Sequence, residues 1–121
     1  MTESYHRVVE ARAVEDRAML PFVVNGWPVL ICKDEGKVHA LINRCSHAAA
    51  ELAPGGRVRR GAVMCPLHGA RFKLDNGACL GGADYKPLKL YPWRESADGW
   101  IEVAVPDAAP GAEDMPVKQL I

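Results

Sequence analysis

Apolar residues along the chain come in short runs closed by turn-forming residues, and nowhere sustain the three-to-four spacing of an amphipathic helix. Runs at 19–24, 27–32 and 38–42, separated by Asn25-Gly26 and by Asp34-Glu35-Gly36, predict a meander of antiparallel strands. Asn25-Gly26 suits a type I′ turn, because both central positions need positive φ and these two residues tolerate it with least strain. Residues 5–11 predict an earlier strand. Beyond a loop-rich stretch holding Pro54, Gly55, Gly56 and Gly61, shorter strands are predicted at 62–64, 70–74 and 78–80, and a further pair at 88–93 and 100–105. About eight or nine strands result. Single helical turns are allowed at 14–19 and 48–52, where Pro21 and Pro54 stop them. The class is all-β, and no period of roughly 20 to 50 residues recurs that would mark a solenoid or propeller.

The length of 121 residues fits one domain, predicted over 1–105, followed by a flexible tail at 106–121 that Pro106, Pro110 and Pro116 interrupt. Deleting that tail is expected to leave turnover unchanged. Fifteen Lys and Arg balance fifteen Asp and Glu, so no global field attracts nucleic acid or anionic lipid. The most apolar stretch, 19–32, is broken by Pro21, Asn25, Gly26 and Pro28 and is too short to cross a bilayer. Residues 1–16 alternate acidic and basic residues without the apolar core of an export signal, which predicts a cytoplasmic protein. Four Cys in a reducing compartment then favour metal binding over disulfides.

Two segments each offer one thiol and one imidazole: Cys45-Ser46-His47 and, after a gap of seventeen residues, Cys65-Pro66-Leu67-His68. A zinc finger usually pairs two Cys on one arm and two His on the other. Here both arms are mixed, which suits two metals bridged by sulfide, each loop giving Cys to one iron and His to the other. With Gly69 and the following Ala70-Arg71-Phe72-Lys73-Leu74-Asp75-Asn76-Gly77, these residues resemble the Rieske ferredoxin family. Pro87-Leu88-Lys89-Leu90-Tyr91-Pro92 and the early hairpins extend the likeness over about residues 5 to 105.

The resemblance implies the Rieske iron–sulfur fold: antiparallel sheets forming a base domain, with a small cluster-binding subdomain of two ligand loops at about 44–80. It implies one Rieske 2Fe-2S cluster, with Cys45 and Cys65 on the inner iron and His47 and His68 on the outer, solvent-facing iron, where electrons would leave. Two ferric ions, two sulfides, two thiolates and two neutral imidazoles sum to zero charge, whereas an all-Cys cluster is negative, so an electron is added more easily. High-potential members of the class carry an extra Cys in each loop and a Ser and a Tyr that donate hydrogen bonds to sulfur. In this chain Ala48 to Ala50 follow His47 without a Cys, Leu67 stands in the second extra-Cys place, and Ala70 and Phe72 occupy the Ser and Tyr places. The expected potential is low, about −150 mV, and insensitive to pH near neutrality.

The chain has no Gly-x-Gly-x-x-Gly after a strand, and an all-β chain of this size has no unit to bind a dinucleotide. A mononuclear oxygenase site needs two His and a carboxylate, whereas only His6 and His39 lie outside the motif, on separate predicted strands. The expectation is therefore a one-electron carrier and not an enzyme. The resemblance implies the ferredoxin component of a multicomponent aromatic-ring dioxygenase. It would act as a soluble monomer linking an NAD(P)H-dependent flavin reductase to a terminal oxygenase, without binding nucleic acid or membrane. Alternatives are the Rieske small subunit of another reductase or oxygenase system, and a structural zinc module that mediates protein association.

Five of the fifteen basic residues and none of the fifteen acids lie between positions 57 and 73, so Arg57, Arg59, Arg60, Arg71 and Lys73 give this stretch +5 and the remainder −5. A solvated loop face is the simpler expectation, and a collar that steers acidic partners the alternative. Cys32 and Cys79 read as small core side chains, and Trp27, Trp93, Trp100, Phe22 and Tyr91 as packing residues with no redox role. Pro66, Leu67 and the loop 81–87 are expected to shield the cluster.

Overall fold

The computed structural model describes residues 3–47, 49–67, 69–81 and 85–117. Among these residues, ten strands form three antiparallel sheets. The first joins β1 (Glu3–Glu10), β10 (Trp100–Pro106) and β9 (Trp93–Glu95) in the order β1-β10-β9. The second is the expected meander of β2 (Met19–Val24), β3 (Trp27–Asp34) and β4 (Lys37–Ile42). The third, in the order β5-β6-β7-β8, takes β5 (Arg57–Arg59), β6 (Ala62–Met64), β7 (Arg71–Lys73) and β8 (Cys79–Leu80). All-β architecture is what the periodicity predicts, and among the described residues the only helical pieces are three-residue 3-10 turns at Ala11–Ala13 and Ala112–Asp114.

Three two-residue hairpin turns carry paired positive φ: Asn25-Gly26, Glu35-Gly36 and Arg60-Gly61. The third explains why β5 escaped the sequence reading, since Arg is not a turn former and Gly61 alone read as part of a loop. The expected turns at 14–19 and 48–52 are not helical among the described residues. The first is a turn at Asp16-Arg17, with Arg17 at positive φ and its N–H on the Lys33 carbonyl at 2.6 Å. The stretch 88–93, expected to pair with 100–105, divides: Ile42 N–H to Lys89 O, Tyr91 N–H to Ala40 O and an isolated bridge at Leu90 tie it to β4, while Trp93 opens β9 and pairs with Val103 of β10. Pro87 and Pro92 lack the N–H groups that would continue the ladder.

β3 is buried along almost its whole length and lies at the centre of the core with Leu41, Ile101, Val103 and Val105. Such a strand reads as a continuous apolar run because both of its faces are covered. Cys32, at 0% exposure, belongs to this core, and burial pushes its thiol pKa up to about 12. Tyr91 is buried with its hydroxyl donating to Pro28 O at 2.9 Å, and desolvation pushes its pKa up as well. Of the tail expected at 106–121, residues 108, 115 and 117 hydrogen-bond to the body. The Trp27 indole N–H donates to Ala108 O at 2.9 Å, Arg44 Nε to Met115 O at 3.1 Å, and Val117 N–H to Ala49 O at 2.7 Å. No helix among the described residues is long and apolar enough to cross a membrane.

Candidate metal centre

Cys45 lies just beyond the end of β4, and Cys65 at the start of the loop joining β6 to β7. Both cysteines sit in loops with one hydrogen-bond frame. Cys45 N–H donates to Ala50 O at 2.8 Å while Ala49 N–H returns to Cys45 O at 2.8 Å; Cys65 N–H donates to Ala70 O at 2.8 Å while Gly69 N–H returns to Cys65 O at 3.2 Å. The fourth residue after each Cys turns the chain back through positive φ, 57° at Ala49 and 71° at Gly69. Glycine takes that conformation without strain, whereas Ala49 pays a steric penalty of about 1 kcal/mol or more that the surrounding bonds must hold.

Both cysteines are buried, at 0% and 1% exposure, and neither is in a disulfide. His47, two residues beyond Cys45, is exposed, and its ring stacks on Tyr85 at 4.1 Å between centroids with 15° between planes. Beside it the Ser46 hydroxyl donates to Lys86 O at 2.6 Å, so the segment expected as a shield does lie on the first loop. His68 and residues 82–84 of that segment are outside the described residues. Among the described residues, no three His, Cys, Asp or Glu side chains form a single-ion site.

The stretch 52–56 ties the two loops together. Asn43, only 3% exposed, accepts hydrogen bonds on Oδ1 from the N–H groups of Leu52 (3.0 Å) and Ala53 (2.8 Å) and donates from Nδ2 to Ala53 O (3.3 Å). This amide closes the base of the first loop and hands the chain on to Gly55 and Gly56. A Cβ on Gly55 would stand 3.3 Å from Pro66 Cβ in the second loop, and one on Gly56 would stand 2.4 Å from the backbone oxygen of Met64. At Gly56 only glycine permits this approach, so the spacing of the two loops rests on it.

A cleft of about 580 Å³ opens beside His47, lined among others by Arg44, Tyr85, Lys86, Glu113 and Asp114. The C-terminal segment thus forms one wall of the site and is bonded to the first loop through Ala49. His6 lies on β1 and half-buried His39 on β4, apart from the loops as their strands predict. Burial holds the His39 pKa below its usual value, opposed by the Asp75 carboxylate. Sequence reasoning missed Asn43 and residues 115–117, and placed Tyr85 only within the shielding loop 81–87, without its stacking on His47. The signal for Asn43 was available, since a polar residue closing an apolar run two positions before a candidate ligand has to satisfy its amide somewhere.

Two buried thiols at the bases of matched loops, with an exposed imidazole on the outer side, are the donors that a mixed Cys/His iron–sulfur centre takes. The class follows: the chain belongs to the family of the Rieske [2Fe-2S] domain, whose model matches residues 4–92, and its cofactor is one Rieske-type cluster. Over 92 residues it is 30% identical to the ferredoxin component of the naphthalene 1,2-dioxygenase system of Pseudomonas aeruginosa, covering 76% of this chain and 88% of that protein. Over 77 residues it is 38% identical to the 3-phenylpropionate/cinnamic acid dioxygenase ferredoxin subunit of Shigella flexneri, covering 62% and 70%. The solved ferredoxin of carbazole 1,9a-dioxygenase from Nocardioides aromaticivorans IC177 superposes with a TM-score of 0.75 at 28% identity, covering 89% of this chain and 99% of that one. These relatives are ferredoxin components of dioxygenase systems, and this chain is of their kind, an electron carrier and not itself an enzyme.

Proposed function

We propose that Cys45, His47, Cys65 and His68 hold the cluster, thiols on the inner iron and imidazoles on the outer, and that the chain carries single electrons from an NAD(P)H-dependent flavin reductase to a terminal ring-hydroxylating oxygenase. The observation that carries this reading is the shared hydrogen-bond frame of the two loops, with a buried Cys at the base of each. When bound, the cluster supplies one site that accepts and returns a single electron.

The protein's own residues do the rest. The frames fix where each thiol sits, Tyr85 orients the His47 ring by stacking, and Ser46 ties the third segment over the first loop. The exposed imidazole leaves an edge for a partner to approach, while the thiols stay out of water. A low potential follows from the residues after the second loop: Ala70 has no hydroxyl, and Phe72, fully buried, has none to donate.

The test is reconstitution under anaerobic conditions. NADH with a flavin reductase of a ring-dioxygenase system should bleach the holoprotein by one electron per chain, and an added terminal oxygenase should restore its colour. Reduction by dithionite but by no such reductase would overturn the shuttle role, and loss of the cluster spectrum without change on dithionite would overturn the redox role altogether. Zinc-filled His47→Ala protein serves as the redox-silent control.

A further inference from the structure

We propose that the outer face of the β5-β6-β7-β8 sheet is the surface on which an acidic region of a redox-partner protein docks. The inference rests on the carrier reading above and adds where the partner sits and what charge it brings.

Register settles which side chains share the face. Arg57 pairs with Met64, Met64 with Arg71, and Arg71 with Leu80, while Arg59 pairs with Ala62 and Ala62 with Lys73. Residues two apart on a strand point the same way, so Arg57, Arg59, Arg71 and Lys73 stand together. The alternate row, Val58, Val63 and Phe72, is buried in the core at 4%, 0% and 0% exposure. The four basic side chains are all exposed, and Arg60 adds a fifth charge at the β5–β6 turn. Among the described residues none of the five has a carboxylate within ion-pair distance.

The pattern across the face is as informative as its charge. β6 contributes Ala62 and Met64 as an apolar rib between two basic strands, and a depression of about 330 Å³ lies over Arg57, Arg59, Met64, Arg71 and Leu80. An apolar centre with a charged surround is how protein surfaces meet. Nucleic-acid faces usually add aromatic stacking platforms, and here the one aromatic on these strands, Phe72, points inward.

Position connects the face to the chemistry. The β6–β7 connection is itself the second loop, so Met64 and Arg71, the residues flanking it, place the patch at the edge of the metal centre. Because the whole chain is neutral, its overall charge gives no attraction. Any steering has to come from this local field, which salt screens over about 8 to 10 Å.

The test uses the oxidised holoprotein and poly-L-glutamate of about 20 residues as the probe, followed by amide NMR shifts. Shifts confined to the β5–β8 sheet are expected, with affinity falling at least about tenfold between low salt and about 0.3 M, and lost in the double variant Arg59→Glu/Lys73→Glu. The dithionite-reduced protein should be oxidised by ferricyanide, an anion, about tenfold more slowly in the same variant, with cationic tris(phenanthroline)cobalt(III) not slowed. Shifts elsewhere, salt-independent binding, or equal ferricyanide rates in variant and parent would overturn the proposal. Tighter binding of a single-stranded DNA oligonucleotide of equal length would overturn it in favour of a nucleic-acid face. Failure of the carrier reading shows separately, as a protein that neither oxidant can reoxidise because dithionite never reduced it.

Discussion

Asn43 is the residue whose removal should most directly loosen the metal centre. In Asn43→Ala the N–H groups of Leu52 and Ala53 lose their acceptor, and both residues are at 0% exposure, so water cannot replace it. Leaving a buried donor unsatisfied costs about 1–3 kcal/mol. Two such groups therefore cost about 3 kcal/mol, since their partners relax somewhat together. The clamp must be broken whenever the first loop opens, so nearly the whole cost should appear in the rate of cluster loss, an acceleration on the order of a hundredfold. The assay is decay of visible absorbance under anaerobic conditions in fixed, sub-denaturing urea. Asn43→Leu separates hydrogen bonding from packing, because it fills the space but still lacks the acceptor. Acceleration of less than about threefold in Asn43→Ala, or full rescue by Asn43→Leu, would refute the reasoning.

Removing residues 115–121 deletes the bonds from Arg44 Nε to Met115 O and from Val117 N–H to Ala49 O, and should speed cluster loss by roughly ten- to thirtyfold in the same assay. Gly56→Ala would drive a Cβ into the backbone oxygens of Met64 and Leu52, and the melting temperature should fall by several degrees, about 2 kcal/mol or more of stability. His39 has a lowered pKa when folded, so as pH falls below about 6.5 the unfolded chain takes up a proton that the folded chain resists, and stability is lost through that window. Urea midpoints at about pH 7 and 5.5 should therefore drop less in His39→Gln than in the parent.

What was legible in the sequence was what chemistry ties to residue type. The proposed ligands Cys45, His47, Cys65 and His68 stand out in the sequence because a mixed thiolate and imidazole centre accepts few other residues at that spacing. The Asn25-Gly26 hairpin is legible because positive φ at two successive positions restricts the residues almost as tightly. Legibility fails where a contact joins distant segments. Nothing local to Tyr85 says that its ring covers His47, and nothing local to Val117 says that its N–H reaches Ala49. The basic collar failed for another reason. Whether Arg57 and Arg59 share a face with Arg71 depends on strand register, and β5 was hidden by a hairpin turning on Arg60-Gly61.

The proposed centre is a two-iron cluster held by two thiolates and two imidazoles. It is tested most directly by the electron paramagnetic resonance spectrum of anaerobically purified protein before and after dithionite, with iron, sulfide and zinc measured on the same sample. Such a cluster gives a rhombic signal that appears only on reduction, a mean g below that of all-Cys clusters, and two irons and two sulfides per chain. A colourless, silent protein holding one zinc per chain, even after co-expression with iron–sulfur assembly machinery, would contradict it.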